Sequence, residues 1–281
     1  MNINKTELSV AVLITFYIKD DLDFFSEALQ SIELQKKQVK NINIYLFVDG
    51  PILPEQKSFL DKNNHRFFKI IFSDENKRLS FGLNTLIDSL ENEIYAFRMD
   101  ADDRCLPERF IRQIDYMEKN KNVFLIGCNS EEINGTGTFI QKRVYPETHE
   151  QIVNALPKCM PILHPSFCLR VSMLKADPEL RYQGANLAED LEFLFLAISR
   201  GFIVHNIQEH LIQWRISEDF VNRRSYKRML PEFLVYARGI KQVFGITYLY
   251  VYPLARLFFR ILPSGVVKAI YESKFRARFL K

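Results

Sequence analysis

Residues 95–110 read YAFRMDADDRCLPERF. The apolar run at 94–97 predicts a short strand buried on both faces, and Pro107 suits the first turn of the helix that follows. Between them stand three carboxylates within four positions: Asp100, Asp102 and Asp103. We therefore expect these acids at the carboxyl end of a strand, where open α/β sheets place their ligands.

The chemistry of this acidic turn has two interpretations. Carboxylates this close repel one another unless positive charge lies among them. A divalent metal held by oxygen ligands, with a phosphate group completing its shell, would meet that need. The alternative is a solvated turn that merely caps the next helix, since short acidic motifs often arise by chance. The position after a buried strand favours the metal site.

Strand and helix patterns alternate four times in the first part of the chain. Apolar, β-prone runs predict strands at 8–18, 42–48, 68–72 and 94–97. Helical periodicity follows Asp20, Asp21 and Asp23, which offer N-caps, and it recurs at 54–64 and 79–90. This alternation predicts an α/β fold with a Rossmann-like, doubly wound, mostly parallel central sheet, flanking helices and right-handed crossovers.

The regular alternation of strand and helix patterns ends in the second half of the chain. Strands are expected at 123–126, 164–171, 202–207 and 210–216, with a hairpin turn at Asn134-Gly135-Thr136-Gly137. The segment 188–199 predicts a strong helix with Glu189 and Asp190 in its first turn. Acids at that position also interact favourably with the helix dipole, so they need not be functional. The final segment is predicted to be helical, with three interrupting prolines.

Positive charge is concentrated at the end of the chain. Residues 241–281 hold eight basic residues and one acid, a net charge of +7, so the rest carries −3 of the total of +4. Aromatic residues are interleaved with the basic ones. We interpret this segment as a patch for an anionic membrane surface, where each Lys or Arg gains about 1 kcal/mol. A helix pair packed on the catalytic body is the alternative. Nucleic acid is not expected as a partner, because no binding module is recognisable.

The cysteines and the apolar runs indicate a cytoplasmic protein. The four cysteines form no CxxC pair and no zinc-binding spacing, which favours reduced thiols. The first ten residues lack the basic-then-apolar layout of a signal peptide. The longest uncharged apolar run, at 243–255, has 13 residues and is too short to span a bilayer. We expect the basic tail to hold the protein at the inner face of the cytoplasmic membrane.

Eight sequence elements, in order, resemble those of the family 2 glycosyltransferases, which have the GT-A fold. They are SVAVLITFY, ALQSI, IYLFVDGP, LSFGLN, RMDADDRCLPERF, HPSFCLR, AEDLEF and WRIS…NRRS, and they span residues 8–225. The chain is most similar to the bacterial enzymes that build exopolysaccharide, capsule and lipopolysaccharide, of the amylovoran-biosynthesis type. The resemblance implies a catalytic domain at 1–225, with a nucleotide-sugar-binding half at 1–104 and an acceptor-binding half at 105–225. A helical, basic-aromatic C-terminal segment at 226–281 would follow.

The resemblance also assigns roles on the donor side. Asp49 is similar to the acid that contacts the nucleoside base, and Thr15 and Tyr17 would flank that pocket. Asn84 lies in a segment that supports the donor site. Asp100 is expected near the ribose or a metal-bound water.

The metal and the diphosphate are assigned in the same way. Asp102 matches the acid that coordinates Mn²⁺ or Mg²⁺, which would neutralise the departing diphosphate. Asp103 either supports a metal ligand or caps the next helix. Arg215, Arg223 and Arg224 could reach the diphosphate, since guanidinium suits phosphate, or could form a solvated basic helix start.

On the acceptor side, Asp190 occupies the position of the general base in inverting enzymes of the family. Glu189 would orient the loop, and it is also the alternative base. His164 is expected near the acceptor, although a single histidine is often structural. His205 is an additional metal candidate.

Together these roles imply an inverting, metal-dependent glycosyltransferase that uses a nucleotide-diphosphate sugar, with UDP the expected nucleotide, on a glycan or lipid-linked glycan acceptor. The processive members of the family carry a QxxRW motif, which Gln213-Trp214-Arg215 does not match. We therefore expect one sugar to be added per encounter. The alternatives are a sugar nucleotidyltransferase, which usually has a glycine-rich loop after the first strand, and a non-catalytic relative that binds nucleotide sugar or acts as a scaffold.

Overall fold

A parallel four-stranded sheet forms the amino-terminal part of the protein. The computed structural model describes residues 8–184, 188–216 and 226–261. Its first elements are β1 (Ser9–Phe16), α1 (Leu22–Gln35), β2 (Asn41–Val48), α2 (Pro54–Lys62), β3 (Lys69–Phe72), α3 (Arg78–Asp88) and β4 (Tyr95–Arg98). The strands lie in the order β3-β2-β1-β4, and all three pairings are parallel. The predicted alternation of strand and helix is confirmed here.

The first strand ends two residues earlier than the sequence predicts. A tight turn follows it, in which the Tyr17 N–H donates to Asp20 Oδ2 at 2.9 Å and the Asp20 N–H donates to the Tyr17 carbonyl at 3.0 Å. The helix cap is Asp21, which accepts hydrogen bonds from two backbone N–H groups of the first turn of α1. Asp20 is therefore not a cap, and its carboxylate is available to the site described below.

The second half extends the sheet with mixed pairing. Its elements are β5 (Arg104–Cys105), α4 (Arg109–Lys119), β6 (Val123–Ile133), β7 (Phe139–Arg143), α5 (His149–Ala155), β8 (Cys168–Arg170), α6 (Val171–Ala176), α7 (Glu189–Ser199) and β9 (Ile203–Arg215). The order continues β4-β8-β6-β9-β5, and β7 pairs with β6. β8 is antiparallel to both of its neighbours, while β6 and β9 are parallel. Parallel pairing therefore dominates only in the first half.

Three predictions for this half are wrong in detail. The expected strand at 164–171 begins with a 3₁₀ turn, His164–Ser166, because Pro165 fixes φ and lacks an N–H, and only β8 pairs in the sheet. The two strands expected at 202–207 and 210–216 are one strand, β9, with irregular register in its middle. β6 runs on past 126 to the hairpin, whose position is confirmed by the pairing of β6 with β7.

Both faces of the sheet are covered by helices, which explains the continuous apolar run of β1. Alternate residues of β1, such as Val12 and Ile14, face α1 and α4, while Leu13 faces the opposite cluster with α3 and α7. The Phe97 and Phe110 rings stack with centroids 4.1 Å apart, which joins β4 to α4. This stacking holds together β4 and α4, the two elements that flank the acidic turn in the chain.

Part of the C-terminal segment packs on the catalytic body. In α8 (Tyr226–Phe244), the side chains of Val235, Tyr236 and Ile240 are buried in the same cluster as α7. α9 (Val251–Ile261) follows and is tied to α8 by an ion pair between Arg256 and Glu232. Within the described ranges, no helix is both long and apolar enough to cross a membrane. Residues 262–281, which hold most of the basic charge of the tail, lie outside those ranges.

Candidate active site

The acidic turn leaves the carboxyl end of β4, as the sequence predicts. One carboxylate oxygen from each of Asp100, Asp102 and Asp103 lies within 4.8 Å of the others. The turn is held at its start by the Met99 N–H, which donates to the Leu13 carbonyl at 3.2 Å. We call these three acids the carboxylate triad.

Arg215 braces the triad from behind. Its backbone N–H donates to Asp103 Oδ1 at 2.8 Å, and its Nε donates to the Asp102 carbonyl at 2.9 Å. Nη1 donates to two carbonyls of the β6–β7 turn, and Nη2 donates to Glu27 Oε2 at 2.7 Å. The guanidinium carbon lies 3.9 Å from the centre of the Phe24 ring. Because all three side-chain nitrogens are engaged, this placement does not support the expected contact between Arg215 and a diphosphate.

The triad is short of positive charge and of hydrogen-bond donors. Asp103 is fully buried, and its Oδ2 meets no donor among the residues that the structure describes. Burial, with repulsion from Asp102 and Asp100, raises the pKa of Asp103 well above its usual value. Burial and the charge of Asp100 likewise raise the pKa of Asp102 to about 6. An all-oxygen donor set with an unpartnered buried oxygen fits a hard divalent cation such as Mg²⁺ or Mn²⁺.

A fourth carboxylate approaches the triad from the loop after β1. Burial raises the pKa of Asp20 to about 8, and the negative charges of Asp102 and Asp100 contribute to that shift. The turn with Tyr17 fixes the position of this side chain. The sequence suggested only a capping role for Asp20, so its proximity to the triad is a finding of the structure.

Arg98 is the buried cation on the other side of the triad. Its side chain is 4% exposed and forms an ion pair with Asp100 through Nη2. Its Nε and Nη1 are buried and find no acceptor within the described ranges. Its positive charge counteracts the rise in the pKa of Asp102 and also that of Asp190. Asp102 and Asp190, predicted to serve one bound substrate, therefore both lie within electrostatic range of this guanidinium.

Asp190 stands in the first turn of α7, and its Oδ1 accepts the Leu191 N–H at 2.8 Å. Burial and the neighbouring negative charge of Glu189 raise its pKa to about 6. A carboxylate with this pKa is ionised at neutral pH and is a stronger proton acceptor than an ordinary aspartate. Residues 185–187, shortly before α7, lie outside the described ranges.

Tyr182 connects Asp190 to the rest of the site. Its ring stacks on Phe193 of α7 at 4.5 Å, and its hydroxyl lies 2.9 Å from His164 Nε2. Asn84 of α3 holds its backbone from both sides, donating to the Tyr182 carbonyl at 2.8 Å and accepting its N–H at 3.0 Å. Asn84 thus holds the backbone of Tyr182 in place.

The two predicted histidines differ in their surroundings. His164 is buried, and burial together with the charge of Arg98 holds its pKa well below the usual value, so the ring is neutral. Its neutral ring supports Tyr182 beside Arg98. His205 pairs through Nδ1 with the Tyr116 hydroxyl at 2.7 Å, and it does not belong to the triad, the one metal-type cluster found in the described parts of the chain. The structure gives no support to His205 as a metal ligand.

The predicted nucleoside pocket lies at the carboxyl ends of β1 and β2. Asp49 accepts the backbone N–H groups of Lys77 at 2.6 Å and Arg78 at 3.0 Å. Arg78 adopts a left-handed φ of 71°, a conformation that is strained for a residue with a side chain and is often found at functional sites. Thr15 packs against Gly82, where an added Cβ would lie 3.0 Å from the threonine methyl.

The remaining predicted residues are placed as follows. Tyr17 is 38% exposed at the end of β1. Glu189 is half-buried beside Asp190. Arg223 and Arg224 fall outside the described residues. The structure therefore brings the triad and Arg98 together, leaves Asp190 within range of the charge of Arg98, and places Thr15 and Asp49 at the carboxyl ends of β1 and β2.

Comparison with known proteins decides the family. The model of Glycosyl transferase family 2 matches residues 11–176, more than half of the chain. The chain belongs to glycosyl transferase family 2.

Two curated relatives of this glycosyltransferase are similar over nearly their whole length. The amylovoran biosynthesis glycosyltransferase AmsE of Erwinia amylovora is 29% identical over 93% of this chain and 97% of its own. An Escherichia coli enzyme named UDP-Gal:alpha-D-GlcNAc-diphosphoundecaprenol beta-1,3-galactosyltransferase is 27% identical over 96% of this chain and 97% of its own. Among solved structures, S. aureus TarS 1–349 in complex with UDP-GlcNAc superposes with a TM-score of 0.67, at 15% identity over 98% of this chain and 76% of that one. The likeness to TarS confirms the GT-A fold.

In this family 2 glycosyltransferase, sequence reasoning found the acids but missed what surrounds them. Asp20 and Tyr182 reach the site from loops whose path cannot be read from a local pattern. Arg98 stands within the quoted motif, yet only its burial and its unpartnered nitrogens show that it belongs to the site. The sequence predicts Arg215 as a site residue, but its contacts are made with residues far along the chain, which a local pattern does not reveal.

Proposed function

We propose that the protein is an inverting, metal-dependent glycosyltransferase that transfers one sugar from a nucleotide-diphosphate sugar to a glycan or lipid-linked glycan acceptor. One observation carries this proposal. Arg98 is buried and forms an ion pair with Asp100 of the triad, and its charge lowers the pKa both of Asp102 and of Asp190 at the start of α7, so the expected metal ligand and the expected base both lie near one guanidinium. A single donor molecule can then touch both.

On the donor side, Thr15, Tyr17 and Asp49 would bind the nucleoside at the carboxyl ends of β1 and β2. Asp49 already fixes the loop at 77–78 through two backbone hydrogen bonds, so a bound base would meet a preformed wall. Asp100 would lie next to the ribose. Asn84 would act indirectly, by holding Tyr182 in place.

The triad would hold Mn²⁺ or Mg²⁺, with Asp102 as the principal ligand. When bound, the cation supplies charge neutralisation for the departing diphosphate. Asp103, whose Oδ1 is fixed by the Arg215 N–H, would orient the turn and offer its unpartnered Oδ2 to the same group. Arg223 and Arg224 remain candidates for the diphosphate.

On the acceptor side, Asp190 would take the proton of the acceptor hydroxyl. As that proton moves to the carboxylate, the acceptor oxygen forms a bond to the anomeric carbon and the bond from that carbon to the diphosphate breaks. Attack from the face opposite the leaving group inverts the configuration, so no covalent enzyme intermediate is needed. Glu189 would orient the acceptor loop and raise the basicity of Asp190. His164 would support this side through Tyr182.

The relatives indicate the class of substrate. The Escherichia coli relative is named for UDP-galactose and for an acceptor on diphosphoundecaprenol, and AmsE is named for amylovoran biosynthesis. A UDP-sugar donor, a lipid-linked glycan acceptor and a role in bacterial surface polysaccharide synthesis are therefore the assignments we propose. The absence of QxxRW around Gln213-Trp214-Arg215 favours transfer of a single sugar.

A surface of α9 supports contact with a membrane. Val251, Leu254 and Phe258 are each more than half exposed, and their spacing puts them on one face of the helix. Ile246 and Tyr248, in the connection before α9, extend this apolar surface and are 94% and 79% exposed. An apolar helix face followed by a basic sequence suits the interface of an anionic bilayer. We propose that this surface, the α9 patch, holds the enzyme at the inner face of the cytoplasmic membrane.

The metal role of the triad can be tested by binding alone. Asp102→Asn removes a charged ligand while keeping its size, so we expect Mn²⁺-dependent binding of UDP to weaken by at least about 100-fold, the scale of losing a charged contact worth about 3 kcal/mol. Asp61→Asn, at an exposed ion pair on α2, is the matched control and should bind as wild type. Unchanged calorimetric affinity for UDP with Mn²⁺ in Asp102→Asn would contradict the assignment.

The role of Asp190 predicts a pH dependence. Its carboxylate must be ionised to accept a proton, so kcat should fall as the pH drops through about 6. Glu189→Gln removes the negative neighbour that raises this pKa, so the acidic limb of the pH profile of kcat should move to lower pH. Glu192→Gln on the same helix should leave that limb in place.

Asp190→Asn should retain UDP binding and lose at least about 100-fold in kcat. Near-normal turnover in that variant would move the base elsewhere, first to Glu189.

The membrane assignment is tested with liposomes. Replacing Val251, Leu254 and Phe258 together by Ser should reduce co-sedimentation with anionic vesicles at least about tenfold, because each exposed apolar side chain contributes on the order of 1 kcal/mol or more to insertion. The matched control replaces Phe139 and Ile140, exposed on β7, by Ser. Hydrolysis of the donor should be unchanged in both variants. Equal loss of vesicle binding in the two variants would reject the α9 patch.

A further inference from the structure

Arg98 has two features that the proposed reaction does not explain. It is a full positive charge placed beside a site meant for a metal cation, and its side chain is 4% exposed. One of its nitrogens is bound by Asp100, whereas Nε and Nη1 are buried without an acceptor in the parts of the chain that the structure describes. A buried donor without a partner costs free energy, so such a group invites an explanation.

The charges around the triad show what Arg98 does there. When ionised, the triad and Asp20 would carry −4, and the ion pair of Arg98 with Asp100 reduces that to −3. The other guanidinium next to the triad, that of Arg215, shares Glu27 with Arg104, and its charge also lowers the pKa of Asp102. All side-chain nitrogens of Arg215 are engaged, whereas Arg98 pairs directly with a triad carboxylate and keeps two nitrogens without an acceptor among the described residues. Its charge lowers the attraction of the triad for a divalent metal, since a nearby positive charge in a buried site repels a cation strongly.

The same guanidinium favours a ligand of the opposite sign. A diphosphate brings several negative charges and many acceptor oxygens, and guanidinium is the side chain best suited to such groups. The field of Arg98 thus opposes a metal ion that arrives alone and favours one that arrives with a diphosphate. The two ligands would then enhance each other's binding.

We infer that Arg98 is a built-in counter-ion that couples the binding of the divalent metal to the binding of the nucleoside diphosphate. This inference rests on the proposed metal-dependent function and specifies how the site is loaded. Arg98 is a positioning residue in this account, because it acts through the triad and through the charge of the ligand. The metal would bind weakly to the ligand-free protein and tightly in the presence of UDP.

Coupling of this kind is described by a single factor, because each ligand must change the affinity of the protein for the other ligand by the same factor. Mn²⁺ binding to the full-length protein is followed by the electron paramagnetic resonance of free Mn²⁺, with and without saturating UDP, at a fixed, mildly alkaline pH. For wild type we expect UDP to tighten Mn²⁺ binding at least about 100-fold, at the upper end of typical coupling factors.

The decisive variant is Arg98→Met, which keeps the volume and removes the charge. We expect this variant to bind Mn²⁺ alone at least about tenfold more tightly than wild type, because a nearby charge that repels the metal has been removed. The factor by which UDP tightens Mn²⁺ binding should fall by at least about tenfold. Arg98→Lys keeps the charge and should retain most of the enhancement. The matched control is Arg112→Gln, an exposed arginine of α4 that pairs with Glu108 away from the triad, which should behave as wild type.

The outcomes separate this inference from the function on which it rests. A purely structural role for Arg98 would weaken Mn²⁺ binding with and without UDP, which is opposite to the expected tightening and would overturn the inference. Equal enhancement by UDP in wild type and Arg98→Met would overturn it as well, while leaving the metal site intact. If Arg98→Met does not fold, the wild-type protein still tests the inference. A wild-type affinity for Mn²⁺ that does not change when UDP is added would contradict the coupling. Failure of wild type to bind Mn²⁺ even with UDP would instead refute the proposed metal dependence.

Discussion

Electrostatic repulsion among three carboxylates at the end of β4 is the constraint on which the site depends. Asp100, Asp102 and Asp103 have oxygens within 4.8 Å of one another, and the last of them is fully buried. Such an arrangement is unstable unless it is braced and compensated. Arg215 supplies the brace through hydrogen bonds to the backbone and side chains of the turn, and Arg98 supplies a buried positive charge. Each of these groups has a defined place only because the sheet brings β4, β9 and α7 together.

The surroundings of the triad are held by contacts that converge on Tyr182. Asn84 fixes the backbone of Tyr182, and Tyr182 in turn packs on α7 and hydrogen-bonds to His164. Asp190 therefore lies in the first turn of a helix that is held by the packing of Tyr182 on Phe193. Burial raises the pKa of Asp102 and of Asp190, and the guanidinium of Arg98 partly counteracts both rises. In the proposed function, these fixed charges would act on the departing diphosphate and on the ionising hydroxyl without rearrangement of the protein.

The sequence was informative where local pattern determines structure and less so where tertiary contacts do. The strands β1 to β4 and the acidic turn followed from apolar runs and from the position of the acids, because each is a local signal. The 3₁₀ turn at His164–Ser166 and the single bent strand β9 did not, since pairing partners far along the chain decide them. Arg215 shows the same limit within the site. Its residue type suggested phosphate binding, but the contacts that it makes to Glu27 and Asp102 come from segments more than a hundred residues away.

The central claim is that one bound donor spans the triad and Asp190. The most direct measurement is a crystal structure of the protein with Mn²⁺ and an unreactive analogue of a UDP-sugar. We expect the metal to contact Asp102 and both phosphates, and the anomeric carbon to face Asp190 with room for one hydroxyl between them. A structure that places the metal away from Asp102, or that places Asp102 and Asp190 in separate cavities, would contradict this account.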